Sequence, residues 1–225
     1  VVSSPWWDNL ASSDATGGAN TGAVTLGNGN GGTVGEISAE NSLIGADSGR
    51  GMGQSVILLM NDNYLVRTRP QREHPDPFTG YLTLASGITA TTGLIDDSNS
   101  LRGETPDFRV GLGVTLPLAN GNYLIQFPYY DADPAAGSRS IKRALTWGNG
   151  ATGGAGILGR NEIMLSNAWG TLFPERSLVA LSNGNYLSVQ ADWTSIDGLY
   201  QGAVHWGSGD APDVGDIGPH NSLVT

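Results

Sequence analysis

One phrase returns along this chain at nearly constant intervals, and it limits the fold more than any other property. Residues 118–123 read LANGNY, 181–186 read LSNGNY, and 59–64 carry the worn form LMNDNY, so the turn tyrosines Tyr64, Tyr123 and Tyr186 stand 59 and 63 residues apart. A second marker reads GAVTLGNG from Gly22, GYLTLASG from Gly80, RALTWGNG from Arg143 and GAVHWGSG from Gly202, spaced 58, 63 and 59. A third reads NSLIG from Asn41, NSLRG from Asn99, NEIML from Asn161 and NSLVT from Asn221, spaced 58, 62 and 60. Three independent markers sharing one period define tandem units at residues 1–53, 54–112, 113–175 and 176–225.

Within a unit, an apolar run meets Asn-Gly and a second apolar run follows, which is the pattern of a hairpin. Asn120-Gly121 and Asn183-Gly184 suit a two-residue type I′ turn, whose central positions both need positive φ. A third strand ends in Gly-Asn-Gly or a relative, and a fourth lies around Asn-Ser-Leu. Helical periodicity is absent. Four short strands bury too little to stand alone, so the units must stack on one another. The expected fold is all-β: a β-propeller built from four four-stranded antiparallel repeats, with a linear stack of the same meanders as the competing geometry.

Strands two, three and four each recur in every unit, whereas the first strand is missing from one. Residues 1–5 align with residues 124–128, so the chain opens just after a turn tyrosine and one blade has an unpaired edge. Continuation of the polypeptide beyond this segment is the first expectation. The other is β-augmentation, with other copies of the chain or neighbouring repeats as partners through the open edge.

Composition removes several classes of function. A formal net charge of −10 opposes a phosphate backbone, so nucleic acid is not an expected partner. The chain has no Cys, which leaves neither a disulfide framework nor a thiolate metal site, and its three His are His74, His205 and His220. No apolar stretch approaches the roughly 20 residues of a membrane-spanning helix. Membrane insertion is not expected, and the opening VVSSPWWDN has no basic region followed by an apolar one.

The phrases VVSSPWWDN, GAVTLGNGNGG, SAENSLIG and LSNGNYL resemble tandem repeats of large secreted bacterial proteins of the filamentous-haemagglutinin type, in which NGNYVVSSP, GAVTWGNG and NSLVG recur. The resemblance covers nearly the whole chain and is weakest in the second unit, at residues 67–70 and 85–87. It implies a secreted or cell-surface location and an adhesive or scaffolding role. It brings no catalytic residues.

Candidate ligand-binding residues follow the second strand of three units: Trp6, Trp7 and Asp8; Tyr129, Tyr130 and Asp131; Asp192 and Trp193, with Gln71 in the matching slot of the second unit. An aromatic face beside a carboxylate suits a sugar, whose apolar face stacks on the ring while its hydroxyls bond the acid. The same pairs equally suit a packing aromatic with a turn Asp. Trp147 and Trp206 share their slot with Leu26 and Leu84, so they are read as packing.

Asp131, Asp133, Asp96 and Asp97 offer oxygens to Ca²⁺, but none has the spacing of an EF-hand loop, and Asx-turns are their expected role. No cofactor is expected. Neither Gly-x-Ser-x-Gly nor His-Glu-x-x-His nor a phosphate loop occurs, and His205 falls in the slot held by Thr25, Thr83 and Thr146. The expected function is a non-catalytic extracellular repeat module. A lectin-like glycan-binding propeller is the alternative, and a propeller glycoside hydrolase ranks behind it.

Overall fold

The structure is a computed structural model that describes residues 1–11, 17–45, 51–68, 80–105, 107–133, 138–166, 177–195, 197–199 and 201–225, with backbone alone at 131–133 and 138–140. Unit 1 holds β1 (Val2–Ser4), β2 (Ala23–Thr25) and β3 (Leu43–Ile44). Unit 2 holds β4 (Ser55–Leu58), β5 (Tyr64–Arg67), β6 (Tyr81–Ala85), β7 (Gly93–Leu94) and β8 (Ser100–Gly103). Unit 3 holds β9 (Val114–Pro117), β10 (Tyr123–Asp133), β11 (Ser138–Gly148), β12 (Gly156–Leu158) and β13 (Met164–Ser166). Unit 4 holds β14 (Leu178–Ala180), β15 (Tyr186–Gln190), β16 (Ala203–Gly207), β17 (Gly215–Asp216) and β18 (Ser222–Val224).

Of the eighteen strands among the described residues, fifteen are those the repeat predicts. The others, β7, β12 and β17, make the sheets differ from plain four-stranded antiparallel repeats. Each pairs in parallel with the last strand of the unit before it: β7 with β3, β12 with β8 and β17 with β13. The sheets therefore run β1-β2-β3-β7, β4-β5-β6-β8-β12, β9-β10-β11-β13-β17 and β14-β15-β16-β18. Each donated strand opens on a glycine in the left-handed region, with φ of +101° at Gly93, +99° at Gly156 and +96° at Gly215. Two residues later Ile95, Leu158 and Ile217 are buried, so the donated strand also anchors a side chain in the shared core.

The apolar cores lie between units. Val24 and Leu43 of unit 1 meet Tyr64, Val66 and Ile95 of unit 2. Leu65 and Leu82 meet Ile125, Phe127 and Leu165 of unit 3, and Leu118, Leu124 and Met164 meet Tyr186, Trp193 and Ile217 of unit 4. Among the described residues, no strand pair and no core cluster joins unit 4 to unit 1.

Two local expectations need correction. Leu118, Leu181 and Leu59 each donate N–H to the carbonyl four residues on, at Asn122, Asn185 and Asn63, which makes the hairpin loops three residues long. Only the third loop residue has positive φ (Asp62 +66°, Gly121 +88°, Gly184 +89°), and Asn120 and Asn183 do not. This is the three-residue loop closed by a bulge, not a type I′ turn. The second correction is a register slip of one in unit 3. Asn41, Asn99 and Asn221 each accept, through Oδ1, the N–H three residues earlier, and in unit 3 that acceptor is Glu162, not Asn161. A carboxylate oxygen replaces an amide oxygen there.

Candidate functional site

The repeated phrases converge on the joints between units. Gly209, just beyond β16, offers its carbonyl to three side chains of unit 3: Asn120 Nδ2 and Asn122 Nδ2, each at 2.8 Å, and Trp147 Nε1 at 2.7 Å. One joint earlier, the Gly150 carbonyl accepts Asn61 Nδ2 and Asn63 Nδ2, both at 2.8 Å. Asn122 meanwhile accepts the Gly150 N–H of its own unit at 3.1 Å, and Asn185 accepts that of Gly209 at 3.2 Å. A Cβ on Gly150 would stand 1.7 Å from the Gly121 oxygen, and one on Gly209 1.8 Å from the Gly184 oxygen. The flanking asparagines of Asn-x-Asn and the last glycine of Gly-x-Gly thus recur as the donor and acceptor halves of one joint.

Charged groups serve the same joints. Buried Arg143 of unit 3 reaches into unit 4, donating to Asp192 Oδ1 at 2.8 Å, Asp192 Oδ2 at 2.9 Å and Gln190 Oε1 at 2.8 Å. Arg160 Nη2 meets Asp216 Oδ1 at 2.9 Å where β17 crosses into the third sheet. Gln126 accepts from Ser177 Oγ at 2.6 Å, and Arg67 donates to the Gly113 carbonyl.

The sequence-derived candidates scatter across three units. Trp193 is 4% exposed in the core between units 3 and 4, with Nε1–H donated to the Ile217 carbonyl at 3.2 Å, so its faces are occupied by protein. Asp192 is the partner of Arg143. Tyr129 packs edge-on against Phe108, centroids 4.9 Å apart, and Tyr130 lies under the Arg109 guanidinium at 4.4 Å. The Asp131 and Asp133 side chains and Gln71 lie outside the described residues. Trp6 is exposed and Trp7 half-buried, while Asp8 accepts the Asn20 N–H at 2.8 Å.

Trp7, Asp8, Leu10, Glu36, Ile37 and Glu40 contribute to the wall of an open groove of about 790 Å³ on unit 1. Of the carboxylates considered for Ca²⁺, Asp97 binds Arg102 Nε and Nη2 at 2.6 and 2.8 Å, which holds its carboxyl below the usual range. Asp96 accepts the Ser98 N–H at 2.7 Å, as an Asx-turn does. Among the described residues, no group of three or more His, Asp or Glu is placed to hold a metal ion.

Composition and spacing did not foretell a polar cluster around His205. Its Nδ1 stands 3.0 Å from the Asn221 carbonyl, and its Nε2 lies 3.4 Å from Asp213 Oδ2, an ion-pair distance without hydrogen-bond alignment. Tyr186 donates to the same carboxylate at 2.7 Å. Ser222 Oγ lies 3.3 Å from Nδ1 but gives its proton to Asn221 Oδ1 at 2.9 Å. The ring nitrogen nearest the serine is already committed to a carbonyl, so Ser222, His205 and Asp213 lack the proton relay of a nucleophilic triad.

Burial pushes the Asp213 carboxyl up, but its contacts with His205 and Tyr186 outweigh that and hold it below the ordinary value. A depressed folded value means stability that is present above the unfolded carboxylate value of about 3.9 and lost as pH falls through the folded one. Asp213→Asn is therefore expected to lower unfolding free energy by about 1 kcal/mol at pH 7, a figure discounted for partial exposure. Urea titrations should show that gap narrowing as the pH falls below the ordinary carboxylate range.

A family model described as a repeat of unknown function (DUF5650) matches four successive stretches, residues 1–54, 58–112, 117–162 and 180–225. The chain belongs to this repeat family. Each DUF5650 match falls within one sequence unit or within one residue of its bounds, and the third stops at 162, the residue that takes over the acceptor role in unit 3. That description carries no activity and no tie to the filamentous-haemagglutinin type. No curated protein and no solved structure matches the chain.

Proposed function

We propose that this DUF5650 chain is a non-catalytic scaffold module, with an adhesive or self-assembling role in a large secreted or surface bacterial protein of the filamentous-haemagglutinin type. In this reading its units are the blades of a propeller or of a longer stack. The carrying observation is the joint at Gly209. The residues that recur most faithfully in the sequence bond unit to unit, and the buried ion pair Arg143–Asp192 crosses the same joint.

A second reading rests on the groove of unit 1, where Trp7 and Asp8 line a surface open to a glycan and Trp6 lies exposed beside it in sequence. A glycan array read with the parent chain and Trp7→Ala separates the two. The scaffold reading expects no signal that depends on Trp7. Binding that falls at least about tenfold in the variant would transfer the function to a lectin.

A further inference from the structure

The three internal joints share one construction, and the two end units carry its unused halves. In each joint the earlier unit offers the outer edge of its last strand, and the later unit lays down a glycine-led strand. Gly93 N–H bonds the Ser42 carbonyl at 3.0 Å and Ile95 N–H the Ile44 carbonyl at 3.0 Å; Gly215 and Ile217 bond Ile163 and Leu165 in the same way, at 3.1 and 2.8 Å. By strand register, the carbonyls of unit 4 that correspond to these acceptors are those of Ser222 and Val224 on β18. Among the described residues, no strand lies on that edge.

Its surroundings are those of a joint left open. Leu223 is 73% exposed, whereas Leu43 and Met164 in the same register position are buried. Trp206 is 56% exposed, whereas its counterpart Trp147 is half-buried with its Nε1–H on Gly209. The side-chain amides of Asn183 and Asn185 find no acceptor among the described residues, though Asn120 and Asn122 both do. Nothing here guards the edge as isolated edges are guarded, by a lysine, a proline or a bulge on the strand itself.

Unit 1 presents the complementary half. Gly35 has φ +116°, in the same left-handed region as Gly93, Gly156 and Gly215, and stands six residues ahead of Asn41, as Gly93 stands ahead of Asn99 and Gly215 ahead of Asn221. Ile37 follows two residues later, half-buried where Ile95, Leu158 and Ile217 are buried. Gly29 occupies the slot of Gly150 and Gly209, exposed and with nothing near its Cβ position. Among the described residues the β1 edge is unpaired as well, but it would need a first strand, and β4, β9 and β14 are all in use.

We propose that the chain binds a second copy of itself head to tail: the strand at residues 35–37 of one copy pairs in parallel with β18 of the other, Leu223 is covered, and Asn183, Asn185 and Trp206 donate to the Gly29 carbonyl. The interface is heterologous, so copies add without a dimer endpoint unless a ring closes. This rests on the scaffold reading but commits it to particular surfaces. The net charge of −10 opposes association, so assembly is measured in roughly 0.5 M salt, where the Debye length is about 4 Å.

Sedimentation of the parent chain is expected to show species that grow with concentration beyond dimer. Leu223→Asp blocks the tail and should be monomeric, as should the head variants Ile37→Asp and Gly35→Val, the latter because valine resists positive φ. A mixture of one tail variant and one head variant should restore a one-to-one dimer and stop there. Circular dichroism matching the parent shows that each variant is folded, and two head variants guard against one failing. A monomeric parent, self-association of a head variant alone, or a mixture that stays monomeric would overturn head-to-tail pairing. A monomeric parent would also remove the self-assembling role from the proposed function, while the choice between scaffold and lectin stands or falls separately, on Trp7-dependent glycan binding.

Discussion

Gly209→Ala is expected to destabilise the protein by about 3–5 kcal/mol, and Gly29→Ala, at the equivalent position of unit 1, by less than about 0.5 kcal/mol. At Gly209 the new methyl carbon would stand 1.8 Å from a backbone oxygen, and no rotamer change relieves a clash with backbone. The turn at Gly184 must move, or Gly209 must withdraw its carbonyl from Asn120, Asn122 and Trp147. At Gly29 nothing lies within 4 Å, so alanine meets open space. Chemical denaturation of the two variants side by side measures the joint directly. Similar midpoints for both would mean that the Gly209 carbonyl does not hold units 3 and 4 together.

A second large effect is expected at Asp192. Removing its carboxylate with Asp192→Ala takes two charge-assisted hydrogen bonds from the buried Arg143 guanidinium, at an expected cost of about 3 kcal/mol. The double variant Arg143→Met, Asp192→Leu should regain most of that loss, because an apolar pair of similar size removes the charge together with its partner. Comparable losses in the single and double variants would show that packing, and not the ion pair, is what Asp192 supplies.

Asp192 also shows how far the sequence could be read. It was visible as an acid beside an aromatic, which suits a sugar site. Its actual partner lies 49 residues away in the preceding unit, and no local pattern announces a contact of that range. A clue existed: Arg143 fills a slot that holds Gly22, Gly80 and Gly202 elsewhere, and a charge at a third-strand position needs an opposite charge nearby.

The fourfold repeat, the fifteen strands and, among the described residues, the unpaired edge of β1 were legible because spacing survives drift in individual residues. The alignment of residues 1–5 with 124–128 holds in the register, where Val2 faces Thr25 as Ile125 faces Thr146. The donated strands were not legible, since two or three residues carry no alternation, although the glycine six residues ahead of Asn99 and Asn221 marks where two of them start. The hairpin loops misled because Asn-Gly fits both a two-residue turn and the last two positions of a three-residue one. Trp7 and Trp193 share a column of the repeat yet differ in depth, since Trp193 is roofed by Ile217, just past a donated strand, whereas the matching residue of unit 1, Ile37, is only half-buried.

The parallel strand passed from each unit to the one before it gives the molecule a polarity during synthesis. A unit leaving the ribosome has its own meander but not its outermost strand, which arrives only after most of the next unit has been translated. Clipping the chain ahead of Gly215 would accordingly do more than shorten its trailing part. The sheet of Met164 and Leu165 would lose its border too, so proteolytic damage travels upstream.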